Sequence, residues 1–443
     1  MNFASVGCWL LILHLFQNFI ELFLRYKQLK VFEETLDVPA ELVEFIPEET
    51  FELSRSYGLH KELLNIVRLL VVDIVIGGAE IYYGMLTIMW MKAQEIVSVM
   101  QLNGSNEVLV SLVFVLLLFV YAFIKETPFL FFKTFVLEEK YGFNNQTLNF
   151  FMGEQLMTLK LKVIYITPLL CSLVIAVKVG AMKHPLGLWL FCAIFEFVAL
   201  MLFPILVMPL FDSFRSLEDE TLKESINDLG AKLKVNTDNI AVIHSKIRSK
   251  HTDAFITGFW KYSRIVIYDT LLSKQSDKDL QDSEILAILV HEIGHFKHYH
   301  LYIAFLASQL VLGIFLMVFG QMYHNTCFFV NLGLPYGNRP VLLAMIISKS
   351  LICGNINTTF LLNALSRKME YEADRFAKKH GYGPQLKNAL VKNSMTNLAF
   401  PVYDKHYSAR FHLQPTLLQR LEYLKEKDEG FMAKIEETPE ELF

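Results

Sequence analysis

The chain has 443 residues, 53% of them hydrophobic and 19% charged, with 37 phenylalanines and a mean hydropathy of +0.36. A charged share below the roughly 25% of ordinary soluble domains, together with long apolar runs, excludes a water-soluble globular enzyme and indicates a multi-pass membrane protein. A formal net charge of -4 gives no basis for nucleic-acid binding, and five cysteines (Cys8, Cys171, Cys192, Cys327, Cys353) in or beside apolar runs, without paired spacing, imply no disulfide framework.

The first apolar run covers residues 6–24. Its positive charges, Arg25, Lys27 and Lys30, follow it, the wrong order for a cleaved signal peptide and the right one for a retained span with its N-terminus outside. His14, Asn18, Glu21 and Arg25 share one helical face of it. A polar loop is expected over 26–68, with Pro39 and Pro47 inside. A second span over 69–90 carries Asp73 and Glu80 on one face, and a third covers 108–124. A fourth span, 161–181, and a fifth, 188–210, flank the turn Pro185-Leu186-Gly187, with Glu196 inside the fifth. Three Asn-x-Ser/Thr triplets, at Asn103, Asn145 and Asn357, are usable as glycosylation acceptors only on a lumenal side.

From residue 211 to 282 the composition turns polar. Residues 217–233 read as an amphipathic helix, and 240–244 and 264–268 as strands. Between them, 252–259 reads as an edge strand or hairpin arm. A helix beginning near Ser283 then carries His291-Glu292-Ile293-Gly294-His295. Residues four apart lie on one helical face, so His291 and His295 can aim at a single metal ion. Glu292, about 100° round the helix, stands beside the metal, where it can take a proton from water. Zinc is the expected metal and metal-assisted peptide hydrolysis the expected chemistry. His298 and His300, trailing the motif, read as polar residues of the membrane surface.

A sixth span covers 301–319 and a seventh 340–362. Just beyond it, Ser366 to Asp374 supplies the missing carboxylate. Glu370 is the expected third ligand; Asp374, on its face, is expected to accept the second N–H of a ligand histidine, and Glu372 points away. Lys and Arg concentrate in the loops after spans one, three and five and in the tail, which puts the strands, the motif helix and the tail on the cytosolic side. The ionisable residues inside spans (His14, Glu21, Asp73, Glu80, Glu196, Lys349) should face a paired or wet interior rather than lipid, and the stripe on span one favours water. These boundaries divide the chain into helices and loops (1–210), a cytosolic protease segment (211–300), two spans (301–365) and cytosolic C-terminal helices (366–443).

His291 to His295 in a seven-span chain, followed by Glu370-Tyr371-Glu372-Ala373-Asp374, resembles the type I CAAX prenyl endopeptidases, integral-membrane zinc metalloproteases. The resemblance extends to Glu139-Lys140-Tyr141-Gly142-Phe143-Asn144 with Thr147, to Ala254-Phe255 with Gly258-Phe259 and Arg264-Ile265-Val266, and to Pro415-Thr416-Leu417-Leu418 with Arg420-Leu421. It implies an α-helical membrane fold of seven helices forming a barrel around a water-filled chamber, with one zinc ion at its cytosolic mouth. It implies removal of the last three residues from farnesylated CAAX proteins, with a second upstream cut in some members. The implied location is the endoplasmic reticulum membrane and the inner nuclear membrane, and the implied partners are prenylated C-terminal peptides and membrane lipid.

The chain departs from the family pattern at two positions: Asp253 stands where the family usually has Asn, and Gln414 where it usually has His. Asp253, Ala254 and Phe255 are the residues expected to hold an extended substrate, Gln414 the one expected near the oxyanion, and Arg420 an electrostatic stabiliser. The same features admit a quality-control membrane protease that clears misfolded or translocon-clogging chains. They also admit a zinc-binding scaffold of weak activity.

Overall fold

In the computed structural model the described residues are 3–100, 106–178, 185–203, 206, 209, 214–237, 240–243, 254–257, 264–272, 280–323, 325 and 356–425. Helix α1, Phe3–Glu34, is 32 residues long. At 1.5 Å per residue that is roughly 48 Å, longer than the ~30 Å apolar core of a bilayer, so its polar end stands clear of the slab. Residues 26–68 are therefore not the loop their polarity suggests: α1 runs through Glu34, and α2, Glu48–Arg68, starts after Pro47 with Glu48 and Glu49 in its first turn. The two prolines interrupt the chain only between the helices, and Phe51, Ser54 and Tyr57 mark a buried face. A π-helical segment, Leu69–Ile76, continues α2 into α3, Gly77–Tyr82.

The expected span 69–90 is likewise not one helix. Gly84, at φ +64°, takes a left-handed conformation that glycine adopts at little cost, and α4, Met85–Val99, starts from it in a new direction. Helix α5, Glu107–Phe132, is capped by the Asn106 side chain, which accepts from the Val108 N–H, and runs into a second π segment, Lys133–Glu138. Helices α6, Leu148–Lys178, and α7, Pro185–Leu202, follow. The stretches Gly7–Glu34, Glu107–Glu138 and His300–Tyr323 are long and apolar enough to cross a membrane, and Leu186–Leu202 is a shorter apolar helix. Most of the expected seventh span lies outside the described residues, as does Lys349.

The polar middle builds a small α+β unit. Strands β1 (Phe214–Arg215), β2 (Ile240–Ile243), β3 (Ala254–Thr257) and β4 (Arg264–Tyr268) form a sheet of order β1-β2-β4-β3. Strands β2 and β4 are parallel, and β3 pairs antiparallel with β4 at the edge, with Phe255 opposite Val266. Helix α8, Glu220–Leu233, starts at Asp219, whose carboxylate accepts from the Thr221 and Leu222 N–H groups. Helix α9, Asp282–Lys297, carries the motif and opens with a capping box, in which Glu284 accepts the Gln281 N–H at 2.8 Å. After α10, His300–Tyr323, the C-terminal part comprises α11 (Ile356–Lys379), α12 (Gly383–Thr396), α13 (Lys405–Phe411) and α14 (Leu417–Lys425). Ile265 and Ile267 of the sheet, Ile285, Leu289 and Ile293 of α9 and Ala377 of α11 share one core, which fixes the motif helix against both.

Candidate metal centre and active site

Two helices meet at the centre. The close approach depends on Gly294: a Cβ there would lie 3.1 Å from the Ala373 Cα and 3.1 Å from the Phe376 Cβ of α11. With α9 and α11 this close, His291, His295 and Glu370 converge. The histidine Nε2 atoms lie 3.2 Å apart. Glu370 reaches both, with Oε2 3.5 Å from His291 Nε2 and Oε1 3.5 Å from His295 Nε2.

These separations suit a metal ion. Four ligands on ~2.0–2.1 Å bonds at tetrahedral angles stand roughly 3.3 Å apart. The Glu370 Oε2 is buried without a hydrogen-bond partner, as a ligand oxygen is in the absence of its ion. Two neutral imidazoles and one carboxylate form the donor set that zinc prefers, and among the described residues this is the group that can close round an ion.

Each histidine is held from behind. His291 Nδ1 donates to Asp374 Oδ1 at 2.8 Å. Burial alone would raise the Asp374 carboxyl, but Arg420 and His291 outweigh it and hold it down at about 2, so it remains a carboxylate. Burial pushes His291 down, yet the Asp374 and Glu370 carboxylates hold it up at about 9; burial and the neighbouring His291 push His295 down to about 3. Arg420, buried, grips Asp374 with two nitrogens, Nε to Oδ2 at 2.8 Å and Nη2 to Oδ1 at 2.5 Å, and its Nη1 lies 3.6 Å from Glu370 Oε2. A guanidinium so engaged positions Asp374 and the ligands. Glu292 is half-buried, and its charge reaches Arg420.

His295 is braced by two residues that the sequence reading placed elsewhere: Glu372, expected to point away, turns toward the site, and so does His300. His300 is buried, not at the membrane surface; its Nδ1 lies 2.8 Å from His295 Nδ1, and its Nε2 lies 3.0 Å from Glu372 Oε2. With His295 Nε2 turned to a metal, the proton order is fixed: His295 Nδ1–H donates to His300, and His300 Nε2–H donates to Glu372. His298 is exposed and stacks on His300.

The expected substrate residues are only partly in view. Ala254 is buried at the start of β3, Phe255 is described through its strand register, and Asp253 lies outside the described residues. Gln414 is exposed and borders a cavity of about 510 Å³ that also touches Arg420, His412 and Tyr403. His412, which packs edge-on against Tyr403, is pushed down to about 4 by burial and by the Arg367 and Lys61 charges, so its imidazole is neutral.

Residues 28–213 match a family described as "CAAX prenyl protease N-terminal, five membrane helices", and residues 216–428 match "Peptidase family M48". The chain is 32% identical to a CAAX prenyl protease 1 homolog of Oryza sativa subsp. japonica, over 96% of this chain and 97% of the relative. It is 31% identical to a homolog of Arabidopsis thaliana, over 96% and 97%. The crystal structure of S. mikatae Ste24p superposes with a TM-score of 0.88 at 28% identity, covering 95% of this chain and 99% of that one.

Proposed function

The chain belongs to the CAAX prenyl protease 1 family of M48 metalloendopeptidases, and on that premise we propose that it is a zinc-dependent protease acting at the cytosolic membrane face. Its substrates are farnesylated CAAX proteins, from which it removes the C-terminal three residues. The observation that carries this reading is the convergence of His291, His295 and Glu370 within 4.8 Å, with Glu292 next to the first histidine.

Zinc, when bound, supplies a Lewis acid that lowers the pKa of water to about 7. The chain does the rest. His291, His295 and Glu370 hold the ion; Asp374 and the His300–Glu372 pair fix the two imidazoles in the tautomer that leaves Nε2 free. Glu292 takes the proton of the attacking water and returns it to the leaving amine. The outer edge of β3 accepts an extended peptide by strand addition, with Asp253, Ala254 and Phe255 beside the scissile bond. Gln414 offers an amide N–H where oxyanion charge develops.

A seven-helix barrel around a water-filled chamber suits the cavities at the site, and the loop charges favour a cytosolic mouth; the family resemblance adds the endoplasmic reticulum and inner nuclear membranes as the location. Purified protein offered farnesylated and non-farnesylated CAAX peptides, with and without a chelator, tests the reading. Chelator-sensitive release of a tripeptide from the farnesylated peptide is expected, and Glu292→Ala should keep stoichiometric zinc while losing ~10²–10⁴ in rate. Equal cutting of unprenylated membrane peptides would instead make this a quality-control protease. Zinc binding without cleavage of either would make it a scaffold.

A further inference from the structure

A second cavity, of about 740 Å³, adjoins the one that Gln414 borders. Lys61 of α2 and Lys133, the first residue of the π segment after α5, both line it. π segments recur at functional sites because they turn side chains out of helical register. Both lysines are exposed, yet Lys61 is so crowded by protein that desolvation is the largest influence on it and, with Lys133, holds its pKa below the usual lysine value against the pull of Glu138 and Glu62. A side chain that is wetted and enclosed at once faces an internal space.

Two carboxylates, Glu138 and Glu154, line the same cavity. Glu138 accepts the Tyr57 hydroxyl at 2.8 Å, and Glu154 accepts the Gln146 amide at 3.1 Å. The Lys61 ammonium has a ring contact, 5.7 Å from the Tyr57 centroid, and neither lysine forms an ion pair among the described residues. Enclosed cations that no carboxylate meets at salt-bridge distance keep a desolvation cost that an anionic ligand offsets.

The two cavities share walls at Asn397, Ala399, Phe400 and Tyr403. The smaller one touches Arg420, which contacts Glu370, and the Lys61 charge reaches His412 in its wall. A sphere of its 510 Å³ volume is about 10 Å across, the reach of three extended residues.

We propose that Lys61 and Lys133 form a subsite for the free C-terminal carboxylate of the peptide substrate. This rests on the CAAX-protease reading, in which that carboxylate lies three residues beyond the scissile bond. The subsite measures the distance from chain end to metal centre and favours a terminal cut over an internal one.

The test uses full-length, zinc-loaded protein and paired farnesylated CAAX peptides that differ only in a C-terminal acid or amide. The wild type should prefer the acid by roughly tenfold or more in kcat/KM, the scale of a charge-assisted hydrogen bond. Lys61→Gln with Lys133→Gln should collapse that ratio, through KM, with zinc content unchanged. A wild-type ratio near one, or a ratio that survives the double substitution, overturns the subsite. If neither peptide is cut, the CAAX reading fails, and the subsite is decided by binding alone: an aliphatic tripeptide acid should outcompete its amide on the wild type and not on the double variant.

Discussion

Behind His295 stand His300 and Glu372, and their order of donation decides how firmly one ligand is held. Removing such a brace typically costs 10–100-fold in metal affinity. His300→Ala should therefore raise the zinc dissociation constant by that factor in chelator competition, with Glu372→Gln, which still offers an amide oxygen, losing less. Equal zinc affinity in His300→Ala and wild type would refute the relay. The sequence made His291, His295, Glu370 and Asp374 legible because each pair is four residues apart on an unbroken helix. His300 was not legible for the same reason. Five residues along a continuous helix lie about 140° away in angle, which would send it from His295. Tyr299 instead takes φ +58°, ends one helix and starts the next, and folds His300 back onto the motif.

Between elements, the decisive contact is α9 on α11. Gly294→Ala gains about 1 kcal/mol of helix propensity but forces a methyl to 3.1 Å from the Ala373 Cα, and overpacking of that kind costs ~1–3 kcal/mol. The second effect wins, so the variant should melt lower and bind less than one zinc per chain; a higher melting temperature at full zinc would overturn the packing argument. The edge strand was readable from alternation and β-branched content, and β3 takes the edge position. Helix α2 was hidden by its polarity, since a one-faced helix between prolines reads as loop until its partner surface is known. If the β3 edge and the loop before α14 hold substrate, Asp253→Asn with Gln414→His should raise turnover on farnesylated peptide, up to the ~10²-fold that an oxyanion donor is worth. Unchanged turnover in the double variant would remove both residues from substrate positioning.

At the scale of the whole molecule, the ionisable residues of the spans that lie among the described residues have protein partners. His14 Nε2 donates to the Asp73 carbonyl at 2.7 Å, Glu80 takes Lys125 and the Tyr121 hydroxyl, and Glu196 takes Ser308 and Gln309. The stripe on span one therefore does not require a hydrated face. Composition could name these residues but not their partners, because partners come from distant helices. Arg25 is the hub. Its Nη1 donates to Glu62 Oε1 at 2.8 Å and its Nη2 to Glu21 at 3.0 Å; the guanidinium lies 4.3 Å from the Phe411 ring, while Tyr407 donates to Glu62 at 2.7 Å. This ties α1 and α2 to α13, and so to the segment that leads to Arg420. Breaking a buried pair by removing one partner costs ~3–5 kcal/mol, whereas replacing both by apolar groups is often near neutral. Arg25→Met and Glu62→Met should each lower the melting temperature of the detergent-solubilised protein, and the double variant should recover most of the loss. Simple addition of the two losses would mean that the pair is not the tie between the first helix and the tail.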